Sequence, residues 1–347
     1  MQITVKMKIE ITSELNFIEY TDFLSKNNSS TFYHSANHLD FLQAQIDSKP
    51  FFITAREQNE LIDVLPFFMK KTKFGKVINS LPFFGSYGGL ISPSKTSKMI
   101  LESFNLFNRD NDVLSSVIIS NPFSDVTNLY EKYFDYTLID HRLAQCLKLH
   151  GFSMDDLWNS FEQRVRRSIR KSINLQVKIE KTNLSDDVIN DFYLMHKSEI
   201  ESKNGKVKPS NFLINIKNFF SVHRDYDIFY AKIDDKIISY LLVFYFNQFA
   251  EYYMPAYDPK QKKSQSTSLL IWESIQASLR KKISYYNFGG TWPNQSELYL
   301  FKRGWNTTDF LYNYYIFCDI ERLKNIDKSD LTKEFSNFYV APYDQII

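Results

Sequence analysis

The chain has 347 residues, a formal charge of +2, 44% hydrophobic residues and 24% charged residues. That length allows two domains of ordinary size, and the composition predicts a soluble globular chain with packed cores. A near-neutral balance excludes a global field for nucleic acid, and two cysteines far apart, Cys146 and Cys318, exclude a disulfide framework and a zinc site. Both cysteines lie in apolar runs and read as buried, inert thiols. No run of about 18 apolar residues occurs, so no membrane span is expected. The N-terminus alternates apolar and polar residues without the apolar core of a signal peptide, and a cytoplasmic location is expected.

In chain order, residues 3–11 alternate as a strand. Residues 31–45 contain an amphipathic helix around Leu39, Phe41 and Leu42, with Asn37 as its candidate cap. Residues 51–56 and 61–67 form a hairpin across the charged turn Glu57-Gln58-Asn59-Glu60. Residues 77–80 and 81–87 are extended and run into Phe84-Gly85-Ser86-Tyr87-Gly88-Gly89. The chain has only nine glycines, so three within five residues mark either a turn or a backbone that approaches a ligand. Residues 97–107 are a helix. Residues 113–120 are a strand ended by Asn121-Pro122, and 136–140 are a further strand.

Residues 153–172 predict one helix, opened by Ser153 with an acidic first turn. Its C-terminal part carries Arg164, Arg166, Arg167, Arg170 and Lys171, the sharpest local charge in the chain. Three readings stand for this cluster: a solvated face, a nucleic-acid contact, or a diphosphate site that Arg recognises through bidentate contacts. Residues 177–180 are a strand and 184–197 a helix. Residues 199–210 are a polar loop with the character of a lid, and 212–222 are a helix. Residues 226–233, 236–246 and 250–258 form a three-stranded meander with turns at Asp234-Asp235 and Asn247-Gln248.

A polar loop at 260–267 then leads into a helix in which Leu269, Leu270, Trp272, Ile275 and Leu279 recur near a 3.6-residue period. Ser266, Thr267 and Ser268 are its candidate caps, and Arg280, Lys281 and Lys282 complement its C-terminal dipole. Tyr285 to Phe288 form a strand that stops at Gly289-Gly290. A loop ending in Leu300-Phe301-Lys302 precedes a last strand at 309–317. A strand–loop–helix–strand unit of this kind places a helix N-terminus beside a strand end, where phosphates bind.

Several of these segments carry a family resemblance. Asn287-Phe288-Gly289-Gly290 with Leu300-Phe301-Lys302-Arg303-Gly304-Trp305 is similar to the C-terminal signature of the FemAB-like branch of the GNAT N-acyltransferases. Arg166-Arg167-Ser168-Ile169-Arg170-Lys171-Ser172 resembles an internal segment of that branch. Leu65-Pro66, Leu81-Pro82-Phe83 and Tyr87-Gly88-Gly89 resemble its N-terminal pattern. The resemblance implies an α/β (α+β) fold of two tandem GNAT-like domains, with mixed central sheets flanked by helices. The expected division is an N-terminal domain at 1–150, an acyl-CoA-binding domain at 151–330 and a peripheral tail at 331–347.

The resemblance also implies a chemistry. The diphosphate of acyl-CoA would lie on the loop before the central helix, here Gln261, Lys262, Lys263, Ser264, Gln265, Ser266 and Thr267. That loop departs from the usual GNAT pattern in having no glycine. Lys302 would stabilise charge on the thioester, with Phe301 beside it in the active cleft. Tyr253, on the strand that delivers the polarising backbone, and Asn287 complete the candidate catalytic set. Tyr87, Arg167, Arg170, Asp258 and Glu297 are the candidate substrate-binding residues. His38, His196 and His223 are bases by their ordinary pKa, but the sequence gives them no geometry.

No nucleophile elbow, P-loop, Rossmann fingerprint or zinc spacing occurs, and no metal is expected. The first functional reading is transfer of an acetyl or short hydroxyacyl group from acyl-CoA to the amine of a nucleotide-linked amino-deoxy sugar for surface polysaccharide assembly. The second is aminoacyl-tRNA-dependent transfer to a peptidoglycan precursor, whose relatives carry a coiled-coil arm that no heptad run supplies here. The third is a binding scaffold without catalysis.

Overall fold

A computed structural model describes residues 7–83, 87–91, 94–124 and 126–346. The start of the strand expected at 3–11 and Phe84-Gly85-Ser86 of the glycine cluster lie outside the described residues. The chain divides into two compact units, Met1–Leu143 with Phe310–Ile347, and Ala144–Asp309.

The first repeat runs β1 (Met7–Thr12), α1 (Phe17–Ser25), α2 (Ala36–Ile46), β2 (Pro50–Glu57), β3 (Glu60–Thr72), β4 (Gly75–Asn79), α3 (Ser97–Asp110), β5 (Val113–Ile119), α4 (Thr127–Tyr133) and β6 (Leu138–Lys148). Helices α5 (Met154–Ser160) and α6 (Gln163–Asn174) follow. The second repeat runs β7 (Lys178–Thr182), α7 (Asp186–Glu201), α8 (Phe212–Phe219), β8 (Tyr226–Ile233), β9 (Lys236–Phe246), β10 (Phe249–Tyr257), α9 (Ser266–Arg280), β11 (Tyr285–Thr291), α10 (Ser296–Arg303) and β12 (Thr308–Cys318). The two repeats have the same order of strands and helices, so a duplication that leaves no repeat in the sequence is plain in the element order. Helices α11 (Ile320–Lys324), α12 (Lys328–Glu334) and α13 (Tyr343–Ile346) end the chain.

In the first unit the strands lie in the order β1-β2-β3-β4-β5-β12, with the first half of β6 beyond β12. In the second unit the last residues of β6 lie beside β11, followed by β10-β9-β8-β7. The units are therefore not the continuous segments expected at 1–150 and 151–330, because β12 pairs antiparallel with β5, Tyr314 opposite Ile119. The segment after it is not peripheral. Leu331 and Phe335 are buried, and Tyr339 exchanges backbone hydrogen bonds with the Asn79 side chain at 2.7 and 2.8 Å. No helix among the described residues is long and apolar enough to cross a membrane.

Local chemistry explains most elements. Gln58 and Asn59 both take positive φ, 51° and 71°, which suits the tight turn of the β2–β3 hairpin. Helix α2 is capped by Ser35, which accepts from the His38 N–H, and not by Asn37. The expected helix at 153–172 is two helices. Phe161 and Glu162 are extended between them, and Phe161 is buried edge-on against Trp272 and Trp305. Ser153 does cap the first, in a reciprocal box with Asp156.

The glycine cluster packs against protein. A Cβ on Gly88 would lie 2.4 Å from the Ser80 hydroxyl oxygen and 2.9 Å from its Cβ. Gly89 has φ +76°, and a Cβ there would meet the Tyr130 hydroxyl at 2.4 Å. The close approach serves the first unit's own core. Gly88→Ala is expected to lower stability by about 1–3 kcal/mol, read as a fall in denaturation midpoint at unchanged slope.

The same unit buries His34 and His38 completely, His38 among the rings of Phe32, Tyr33 and Phe41, and His34 with its Nδ1 accepting from the Thr31 N–H at 3.1 Å. Burial pushes their pKa values down to about 4 and about 3, so both are neutral in the folded chain. The unfolded chain binds protons first as pH falls below the ordinary histidine value. Stability present above about 6.5 is therefore lost progressively toward pH 4, on the order of 3 kcal/mol for His34 alone. Thermal melts from pH 7 to pH 4 are expected to show this fall, and His38→Phe should make it shallower while the His34 part remains.

Candidate functional site

The site is built on the second unit's sheet. β10 and β11 run parallel, and their register covers only Phe249 with Tyr285, Ala250 with Tyr286 and Glu251 with Asn287. Beyond that pair each strand continues without the other, to Tyr257 and to Thr291. On its other edge β10 pairs with β9, and the register shifts so that Tyr252 faces Val243 and Met254 faces Leu242. Tyr253 is thus the extra residue of a β-bulge, a feature that twists and re-aims a strand beside functional sites. Helix α9 follows β10 after a short 3₁₀ helix, Pro259–Ser264.

The point of divergence is locked by buried polar groups. Both Glu251 carboxylate oxygens accept from the Asn287 Nδ2, at 3.0 and 2.8 Å, and Asn287 Oδ1 accepts from the Gly289 N–H at 2.9 Å. Gly289 has φ +75°, which glycine adopts without strain. Lys302 lies on α10, a helix where the sequence suggested a loop, and is 3% exposed. Its ammonium donates to the carbonyls of Gly289 and Gly290 and to the Thr291 hydroxyl, at 3.0, 2.8 and 3.0 Å. Burial lowers its pKa to about 7, against the opposing pull of the Glu251 charge. The Thr291 hydroxyl in turn donates to Gln145, whose amide reaches the Tyr299 carbonyl. Lys302 therefore holds the end of β11 in place.

A second layer covers the Tyr253 face of β10. The Tyr253 ring stacks parallel to Phe212 with centroids 6.0 Å apart, and Phe244 meets it edge-on at 5.1 Å. Lys208 Nζ lies 4.7 Å from the Phe212 centroid and 5.0 Å from that of Tyr253. Glu199 is buried, accepts from Lys203 Nζ at 2.5 Å and from the Tyr257 N–H at 3.2 Å, and has its pKa raised by burial.

The remaining sequence candidates scatter. In the loop before α9, Ser264 is buried; its hydroxyl donates to the Gln261 carbonyl at 2.7 Å and accepts from the Ser266 N–H at 3.3 Å. Gln265 takes φ +60°, a left-handed position where a glycine would be at ease, and leads through Ser266 into Thr267 in the first turn. Lys262 and Lys263 are exposed beside it. Phe301 is half-buried against the second unit's core. Asp258 caps the 3₁₀ helix by accepting from the Lys260 N–H, which makes it a structural cap. Arg170 stacks on Trp158 at 5.3 Å, Arg167 is exposed on α6, and Glu297 is exposed in the first turn of α10. Tyr87 is buried in the first unit among Tyr33, Phe123 and Tyr312.

His38 is a core residue, and His196 is buried with its pKa pushed down to about 4 by burial and by Lys208. The exposed His223 pairs with the buried Asp227 at 2.8 Å. Burial and the Glu251 charge push the Cys146 thiol up, which disfavours a thiolate nucleophile. Among the described residues no three His, Cys, Asp or Glu side chains converge as a metal group. Sequence reasoning missed Glu251, Glu199, Gln145 and Lys208. Glu251 alone left a signal, a carboxylate inside the apolar run Phe249 to Met254.

The same order of strands and helices occurs twice, and in the second copy the parallel strands part beside a helix N-terminus, which together define a tandem GNAT fold. Residues 159–303 match the family model described as an acetyltransferase (GNAT) domain, and no curated protein matches the sequence. Among solved structures, FemX superposes with a TM-score of 0.69 at 11% identity, covering 94% of this chain and 99% of that one. The C-terminal domain of a putative lysylphosphatidylglycerol synthetase from Agrobacterium fabrum gives 0.60 at 10% identity, covering 91% and 96%. A tandem GNAT protein from the clavulanic acid biosynthesis pathway gives 0.53 at 9%, covering 90% and 98%. The chain has a duplicated GNAT fold, shared over most of its length with FemX and with the tandem GNAT protein.

Proposed function

We propose that the second unit transfers an acyl group from acyl-CoA to an amine. The observation that carries this reading is the parting of β10 and β11 beyond the Glu251–Asn287 pair. The β10 edge facing that gap offers backbone polarity to a thioester carbonyl. The donor's diphosphate lies at the start of α9, with Lys262 and Lys263 beside it. The amine attacks the carbonyl carbon, a C–N bond forms, the C–S bond breaks, and the thiolate leaves to take a proton. Glu251 accepts the proton of the amine, directly or through one water. Lys302, Asn287 and Gln145 position this frame.

The acceptor in this reading is the amine of a nucleotide-linked amino-deoxy sugar, and the acyl group is acetyl or a short hydroxyacyl. The second reading, aminoacyl-tRNA-dependent transfer, is favoured by the extent of the FemX likeness. Thermal melts with acetyl-CoA, CoA, dTDP- and UDP-amino sugars and charged tRNA separate the two. A ligand at 100 times its Kd adds about 2.7 kcal/mol. Stabilisation by CoA and a nucleotide sugar is the expected result. Stabilisation by charged tRNA alone would replace the first reading with the second.

A further inference from the structure

The connection between α7 and α8 carries three lysines, Lys203, Lys206 and Lys208. Lys203 is paired with Glu199. Lys208 is held against the parallel rings of Phe212 and Tyr253. Tyr253 is the bulged residue of β10, two positions past the last residue that pairs with β11. A half-buried primary amine therefore rests on the side chain of the strand residue at the gap. Its own segment has no helix or strand between Ser202 and Asn211.

From this geometry we infer that Lys208 is itself an acyl acceptor, modified in cis by the donor bound in the second unit. The inference rests on the acyl-CoA reading of that unit. Lys208 Nζ attacks the thioester carbonyl carbon, an amide bond forms, the C–S bond breaks, and the proton lost from nitrogen ends on the CoA thiol. Burial among the rings lowers the Lys208 pKa to about 7, so about half of this amine is neutral at pH 7, where an ordinary lysine is neutral to well under ~0.1%. Lys302 has a similarly lowered pKa but spends its three N–H donors on Gly289, Gly290 and Thr291, and is predicted to stay unmodified. Acylation of Lys208 removes the cation from the two rings and fills the face of β10 with an amide, so the reaction ends after one event per chain and slows transfer to an external amine.

The test is peptide mapping by mass spectrometry on the wild-type chain after incubation with acetyl-CoA, beside thermal melts on the same samples. The comparison donor is the acetyl thioester of N-acetylcysteamine, which lacks the nucleotide. The expected result is acetylation of Lys208 at least about tenfold faster than any other lysine, with acetyl-CoA as donor only, suppressed by excess CoA and absent from Lys208→Arg. Stabilisation by acetyl-CoA without modification of Lys208 overturns this inference and leaves the donor reading standing. Equal modification of many lysines, or equal rates from both donors, overturns it as well. Neither stabilisation nor modification overturns the inference and the donor reading together.

Discussion

Glu251→Gln is expected to lower kcat by about 10²- to 10⁴-fold in an acyl-transfer assay, the range that a lost general base produces. The buried carboxylate accepts from Asn287 with both oxygens, so the amide of Gln places an N–H donor against another donor. That mismatch costs about 1–3 kcal/mol, and the variant should melt earlier yet remain folded. Asn287→Ala separates the two roles. It keeps the carboxylate and loosens the lock, so its loss of rate should be smaller than that of Glu251→Gln. A kcat within threefold of wild type for Glu251→Gln would sink the proton-acceptor role and leave Glu251 as a strut.

Lys302→Met should damage both the frame and the reaction. The substitution keeps most of the apolar volume and removes three hydrogen bonds from the end of β11. A stability loss of about 1–3 kcal/mol is expected, together with a fall of about 10²-fold in kcat/KM as the strand end shifts. The pH response gives a separate readout. The folded pKa of Lys302, about 7, lies below its unfolded value of 10.5, so the unfolded chain binds the extra proton between those limits. Stability contributed by Lys302 therefore rises from pH 7 toward pH 10.5, and Lys302→Met should abolish that rise. Lys302→Arg should not rescue, because a planar fork cannot address three acceptors arranged around one ammonium.

Much of the architecture could be read from local chemistry. The meander β8–β10 was legible because Asp234 and Asp235 force a left-handed turn between apolar runs, with φ of 45° and 62°. The start of α5 was legible from Ser153 and Asp156. Other features depend on partners distant in sequence. Phe161 breaks a helix because two tryptophans receive it. Leu300-Phe301-Lys302 looks like loop or strand until Lys302 is seen reaching three acceptors on β11. Helix α1 escaped notice because its signal, Asn16 accepting from the Ile18 and Glu19 N–H groups, stands before a short helix that buries only Tyr20, Phe23 and Leu24. The candidate site was legible as a segment and not as a set of side chains. Asn287 and Lys302 belong to it, whereas the role of Glu251 exists only once β10 lies beside β11.

The two copies of the fold differ where it matters for chemistry. In the first unit β4 stays paired with β5 to its last residue, and Ser80 extends the seam by donating to the Val117 carbonyl and accepting from the Ile119 N–H. The start of α3, the counterpart of α9, is filled from within. The buried Asp63 carboxylate accepts from the Ser94 and Ser97 hydroxyls at 3.1 and 2.7 Å, beside the first residue of that helix. The ancestral repeat has thus been welded shut on one side and left ajar on the other. Under the proposed reaction the chain behaves as a single-barrelled tool, with the donor and the transfer step on the second copy.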